Sequence, residues 1–355
     1  MIDHSKPTIG REEERAVINV LRSKFLAEGQ EVHQFEGEMS NYIGACGALA
    51  TSTGTLALHL ALMSLGINKK DEIITPSYVC RSVLNAILYS GALPVLCDVN
   101  REDYNISFND AKSKITRKTK AIIVPHMFGC PAQIDKFKEL GILLIEDCAH
   151  AIGAEYKGRK TGSWGDLSVF SFEGTKYITT GEGGMILANS RRLLNTLRKL
   201  KEPDSLNCVV KHTHRMTNLQ AAVGRVQLLK LEQFIKKRKK IVKMYNKAFS
   251  LNNVKLPAER QDVKHIFHRY MIQISCDIHK YMNLCNQKEV KVKQPVKPYP
   301  LHKYLGVPAY NFPNTKYVMK SAVSLPIYPS LTDNQVQYII EVAKKALLQL
   351  ESRVR

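Results

Sequence analysis

To about residue 250, short apolar runs alternate with amphipathic stretches along the chain. Residues 47–52, 72–76, 93–99, 121–126 and 142–151 read as strands, because they are brief, apolar and rich in β-branched residues. Between and before them, residues 10–24, 30–43, 56–65, 82–90, 132–140 and 190–201 carry helical periodicity. Strands alternating with helices predict a mainly parallel sheet covered on both faces. A further apolar run at 167–172 breaks at Gly174 and resumes at 185–188, leaving a glycine-flanked turn that holds Lys176. Residues 212–234 begin a long helix. Past about residue 250 the pattern changes: a strand at 265–274, a helix at 278–288, and a strand leading into a proline-rich loop that ends at His302. A last strand follows, then a turn with Thr332 as N-cap, and a final helix. The fold class expected is α/β, with a large domain over 1–250 and a smaller mixed domain over 251–355.

The length of 355 residues suffices for such a pair of domains. No run of about 18 apolar residues predicts a membrane-spanning helix, and the first residues have no apolar core of a signal peptide. The eight cysteines are scattered singly and form no CxxC pair, which suits buried free thiols in a reducing cytoplasm and no metal site. The net charge of +20 admits nucleic acid or a phosphate-bearing small molecule as partner, or simply a basic solvated surface. The densest run, Lys236 to Lys240, lies in a helical pattern without interleaved aromatics, so it reads as one exposed helix face, and nucleic acid is not expected.

Ligands of parallel sheets collect at the carboxyl ends of the strands. His126, Asp147 and Lys176 all fall at such ends or just beyond. Glycines on both sides of Lys176 permit a close approach by a flat cofactor, although a solvated hairpin lysine has the same local sequence. Thr53-Gly54-Thr55 opens a helix directly after a strand, which offers unpaired backbone N–H groups to an anion, or else is an ordinary threonine N-cap. Asp147 ends a buried strand and needs a partner there.

SFEGTKYITTGEGG, taken with EDCAHA, TSTGTLAL and the RM-x-x-x-QAA-x-G pattern at 215–224, resembles the DegT/DnrJ/EryC1/StrS family of sugar aminotransferases. The resemblance runs from about Gly29 to Leu347. It implies the aspartate aminotransferase fold class, PLP fold type I, and pyridoxal phosphate as cofactor, with pyridoxamine phosphate as its aminated form. It implies that Lys176 bonds the cofactor and moves the proton. By the same resemblance Asp147 faces the ring nitrogen, His150 the ring hydroxyl, and Gly54, Thr55 and Ser171 the phosphate, with Ser168 as the alternative serine. Arg215 is implied to reach the phosphate from a neighbouring subunit, so the resemblance also implies a homodimer with shared sites. His302, in YPLH, is a candidate sugar contact. Three positions depart from the family: Cys80 where an aromatic often stacks on the cofactor ring, Thr213 two residues before Arg215-Met216 where a polar residue such as Asn is usual, and Glu173 where many members carry His. The implied function is transfer of an amino group from an amino acid, glutamate, to a keto sugar linked to a nucleotide. The competing readings are a dehydratase or aromatic-amine synthase on the same cofactor, and a basic regulatory or nucleic-acid-binding protein that lost catalysis. Family dehydratases replace the lysine with histidine, so Lys176 argues against them. The set Lys176, Asp147 and Ser171 argues against a protein that only binds.

Overall fold

The computed structural model describes residues 1–201, 213–250 and 254–352. Cys208 and residue 212, where the expected long helix begins, lie outside them. The chain opens with α1 (Arg11–Ser23) and α2 (Gln30–Ile43). It then alternates through β1 (Gly47–Thr51), α3 (Gly54–Ser64), β2 (Glu72–Pro76), α4 (Arg81–Tyr89), β3 (Leu93–Cys97), α5 (Phe108–Ser113), β4 (Thr119–Pro125), α6 (Ile134–Lys138) and β5 (Leu143–Asp147). A short ladder of β6 (Glu155–Tyr156) and β7 (Arg159–Lys160) precedes the hairpin of β8 (Leu167–Ser171) and β9 (Gly184–Ala188). Three helices follow: α7 (Arg191–Lys201), α8 (Asn218–Leu229) and α9 (Leu231–Phe249). The C-terminal part holds β10 (Val263–Lys264), β11 (Tyr270–Gln273), α10 (Ile278–Gln287), α11 (Leu301–Tyr304), α12 (Pro313–Ser321), β12 (Ala322–Leu325) and α13 (Asp333–Glu351).

Seven strands form one sheet in the order β1-β9-β8-β5-β4-β2-β3. All neighbours are parallel except that β9 runs against both β8 and β1. Successive side chains of a strand point to opposite faces, and the two faces are filled separately. Ile73, Ile145, Leu167 and Ile186 pack with the buried residues of α3 and α4. Ile74, Ile122 and Leu144 pack with Ala111 of α5 and Phe137 of α6. Toward β1 that second face is covered by Val32, Phe35 and Met39 of α2 and Ala221 of α8. Burial on both faces is why these strands read as unbroken apolar runs. Every carboxyl end but that of β9 points to one edge, and β9 starts there, at Gly184. The C-terminal part has its own core around β11, β12, α10 and α13, joined by Tyr245 and Phe249 of α9 and by Ile2.

Several expectations are corrected. The strand expected over 142–151 ends at Asp147, because Cys148 to Ala154 turns, with Ala151 N donating to Cys148 O and Ala154 N to Ala151 O. The strand expected over 265–274 begins only at Tyr270: Phe267 has φ of 54°, and Ile266 N and Arg269 N donate instead to Gly129 O and Phe128 O. The helix expected from 212 starts at Asn218, where Thr217 and Gln220 form a reciprocal cap. The strand expected before the proline-rich loop is reduced to bridges, Lys293 with Ser324 and Val290 with Ile2. The Lys236–Lys240 run is not one exposed face. Phe234, Ile235, Arg238, Ile241, Val242 and Tyr245 form the buried stripe of α9 at i, i+3 and i+4 spacing. Arg238, only 3% exposed, lies on that stripe. Its Nη1 donates to the carbonyls of His268 (3.1 Å) and Ile327 (3.0 Å), and its guanidinium lies 4.4 Å from the Tyr177 ring centre.

Candidate active site

The carboxyl edge of the sheet gathers the chemistry. Thr53 caps α3 just past β1, its hydroxyl accepting from Leu56 N (3.2 Å). Gly54 and Thr55 therefore stand in the first turn, where backbone N–H groups have no helical partner. Ser171 ends β8 against them: a Cβ at Gly54 would lie 2.8 Å from the Ser171 Cβ and 3.1 Å from its hydroxyl. Gly184, the first residue of β9, closes the same corner, since a Cβ there would lie 2.6 Å from Gly54 N. The two glycines thus let Ser171 and the start of β9 pack directly against a helix N-terminus, whose unpartnered amides suit a phosphate. Ser168, the alternative, is fully buried within β8, and its hydroxyl has no partner there.

Asp147 ends β5. Its Oδ1 accepts from Ala149 N (3.0 Å), and among the described residues no lysine or arginine lies within ion-pair distance of it. Burial raises its carboxyl above the usual range, opposed by the Ala149 amide and by the charge of Lys176. A carboxylate so placed calls for a cationic donor. Behind it, Glu146 points to the other face and is fully committed: His126 Nε2 lies at 2.9 Å, and the amides of Gly162, Trp164 and Gly165 donate at 2.8, 2.7 and 2.8 Å. His126 Nδ1 in turn accepts from Ala132 N (3.0 Å). His126, expected at the site from its strand end, therefore supports the turn under Asp147 and is not free for a ligand.

Lys176 lies on the β8–β9 turn, its amide donating to Glu173 O (2.8 Å). Glu173 also accepts from the Thr175 amide (3.0 Å) and hydroxyl (2.6 Å), which fixes the turn. Burial lowers the Lys176 amine below its ordinary value; Cys80 and Asp147 work the other way, and Arg269 adds to the lowering. Cys80 stands at the start of α4 beyond β2; it is exposed, against the expectation of buried thiols, yet desolvation in the cleft, then Asp147, raise its thiol. His150 is kept neutral by burial and by the charges of Lys176 and Arg269. Its ring stacks on His268 (4.4 Å) and Phe128 (6.0 Å). Lys176, Asp147, Cys80 and His150 thus share one field.

Arg215 is placed differently. It is half-exposed and its Nε lies 3.7 Å from Glu28 Oε2, while the preceding carbonyl, of His214, accepts from Ser52 N (3.1 Å). His302 is corrected. It is 2% exposed, its Nδ1 lies 2.7 Å from Ser77 Oγ, and its ring stacks on Phe312 at 4.9 Å. It ties the YPLH loop to the end of β2 and has no face left for a sugar. Sequence reasoning missed His268 and Arg269 beside Lys176. Their signal is a pair of polar residues inside the run at 265–274, which reads as a strand.

Residues 7–344 match the DegT/DnrJ/EryC1/StrS aminotransferase family. The chain belongs to this family. It is 34% identical to GDP-perosamine synthase of Escherichia coli O157:H7, over 95% of this chain and 96% of that one. Among solved structures it resembles the aminotransferase TlmJ of Streptoalloteichus hindustanus, with a TM-score of 0.93, 26% identity and coverage of 99% and 100%. It equally resembles Spr1654 of Streptococcus pneumoniae in its PMP form, with a TM-score of 0.93, 25% identity and coverage of 99% and 100%. The chain is accordingly a pyridoxal-phosphate-dependent aminotransferase of the expected fold class. The residues fit that cofactor: a glycine-flanked helix start for a phosphate, a carboxylate with no ion-pair partner among the described residues for a ring N–H, and a lysine whose amine is held below its usual basicity.

Proposed function

We propose that this aminotransferase moves an amino group from glutamate to a keto sugar carried on a nucleoside diphosphate, as a cytoplasmic homodimer with shared sites. The observation that carries the chemistry is the Lys176 amine, lowered by burial and set beside Asp147. A lysine easier to deprotonate serves as the base that takes the donor's α proton and returns it two atoms away, beyond the transferred nitrogen. Asp147 would hold the ring nitrogen, and Gly54, Thr55 and Ser171 would hold the phosphate, which would keep the reacting carbon within reach of Lys176. His150, neutral, offers a ring nitrogen beside the cofactor hydroxyl, and Cys80 gives a soft apolar contact. Bound pyridoxal phosphate would supply the electron sink that makes the α proton removable. The seven described cysteines are all free, which supports a reducing compartment. Dividing the chain near residue 250 assigns all of these residues to the larger domain.

The sugar and its nucleotide are supported by the relative's name, GDP-perosamine synthase, and by the excess of basic residues, which suits a diphosphate. The dimer is supported by the surface. Ile18, Leu21, Phe25 and Leu26, in and just beyond α1, are exposed, Phe25 by 78%, and Leu229 at the end of α8 by 86%. Phe25 and Leu26 line a groove of about 710 Å³ formed by the turn between α1 and α2 and by Asn218. Large apolar side chains in such number are expected to be covered, and a second copy of the chain covers them here. The test is glutamate-dependent turnover across a panel of nucleotide-linked keto sugars, with Lys176→Ala as control. One or a few sugars should react, Lys176→Ala should be inactive on all, and borohydride reduction of the loaded wild type should place the cofactor's mass on Lys176 alone. Label on another lysine would reject the lysine assignment, and turnover with free sugars only would reject the nucleotide.

A further inference from the structure

We propose that Arg269 holds the α-carboxylate of the amino-acid donor. This rests on the aminotransferase assignment and not on the identity of the sugar. Arg269 ends the irregular segment before β11. Its amide donates to Phe128 O (3.3 Å), and His268 beside it stacks on His150. Its Nη1 lies 3.1 Å from His4 Nδ1, and His4 Nε2 lies 2.9 Å from Ser324 Oγ. Burial, helped by Arg269 itself, keeps His4 neutral, so its ring can accept from the guanidinium. The arginine is thus fixed by a neutral partner, and Glu173, a carboxylate that opposes its lowering, makes no ion pair with it.

Two buried polar atoms nearby are also unspent. Arg269 Nε has no hydrogen-bond partner, and neither has the hydroxyl of the fully buried Tyr78, with which Arg269 interacts electrostatically. Among the described residues no carboxylate lies within ion-pair distance of Arg269. Burial, then the charge of Arg238, push Arg269 down to about 10. A buried cation without a counter-ion is costly and gains most from an arriving anion. The phosphate already has the cradle of Gly54 and Ser171, and the ring nitrogen has Asp147. The remaining anion is on the substrate. A donor's α-carboxylate is one bond from the carbon whose proton Lys176 moves, and Arg269 is near enough to lower Lys176. A nucleotide's diphosphate is separated from the reacting carbon by the sugar ring. The planar guanidinium matches a carboxylate's two oxygens, and Tyr78 can add a neutral donor.

The test uses only the donor half of the reaction, so a failed sugar assignment leaves it intact. In the loaded wild type, rates are compared for L-glutamate, L-glutamine (side-chain amide) and L-isoglutamine (α-amide). The α-amide should react about a hundredfold more slowly, the side-chain amide much less so. Arg269→Gln should lose about a hundredfold on glutamate and glutamine, yet discriminate little against isoglutamine, and Arg269→Lys should recover part of the loss. Spectral titration with L-2-methylglutamate, which has no α proton, should show the same weakening as binding alone, with cofactor absorbance and Tm unchanged. Wild-type affinity for methylglutamate in Arg269→Gln would overturn the proposal, as would a wild type that penalises only the side-chain amide. If Arg269→Gln does not fold, the two amides on the wild type decide alone, and equal rates reject it.

Discussion

An alanine at Gly54 is the smallest change that tests the phosphate cradle. Its Cβ would meet the Ser171 Cβ at 2.8 Å, so either the helix start or the serine must move. Overpacking of this kind costs about 1–3 kcal/mol, and here it falls on the anion space. Gly54→Ala should therefore weaken cofactor binding roughly tenfold to a hundredfold, read by titrating the cofactor-free protein, while the rest of the fold is retained. Unaltered affinity would place the phosphate elsewhere. Gly54, Thr55, Asp147, Ser171 and Lys176 are candidates that family-like local motifs suffice to name, because each lies at a strand end or in the turn behind it. His302 could not be read in this way. Its role depends on Ser77 and Phe312, and Ser77 lies 225 residues away. Arg269 was hidden for the same reason, since its partner His4 is 265 residues distant.

Elements were legible where periodicity was strong and illegible where charge masked it. The doubly covered sheet followed from apolar runs too uniform to have a wet face. In α9, by contrast, counting cations across Lys236–Lys240 concealed that Arg238 occupies a core position between Ile235 and Ile241. There it binds two parts of the molecule, the segment carrying His268 and the chain just after β12. Replacing it by methionine keeps length and apolarity but leaves those carbonyls unpaired. Each buried group left unsatisfied costs about 1–3 kcal/mol. Arg238→Met should thus lower stability by about 2–4 kcal/mol in urea unfolding, whereas Lys237→Met, on the exposed side of the same helix, should change it by less than about 0.5 kcal/mol. Equal effects from the two variants would show that the carbonyl contacts contribute nothing.

For the molecule as a whole the open matter is where Arg215 acts. In its own chain it meets Glu28 at the edge of the α1–α2 groove, half-exposed and outside the group around Lys176. The exposed Phe25 and Leu26 line that groove together with Glu28, so a partner docking there would meet Arg215. Two-fold symmetry would then build each site from Lys176 of one copy and Arg215 of the other. Lys176→Ala and Arg215→Ala should each be impaired at both sites of their own dimers. When the two are co-expressed, one site of the hybrid carries both lesions and the other carries neither. Random pairing makes half the dimers hybrids, so about a quarter of wild-type activity should return. An Arg215 acting within its own chain leaves no intact site in any dimer, and nothing returns. An Arg215→Ala protein with full activity would remove this residue from the site, and an impaired one with no recovery in verified hybrids would reject sharing while leaving Lys176 in place.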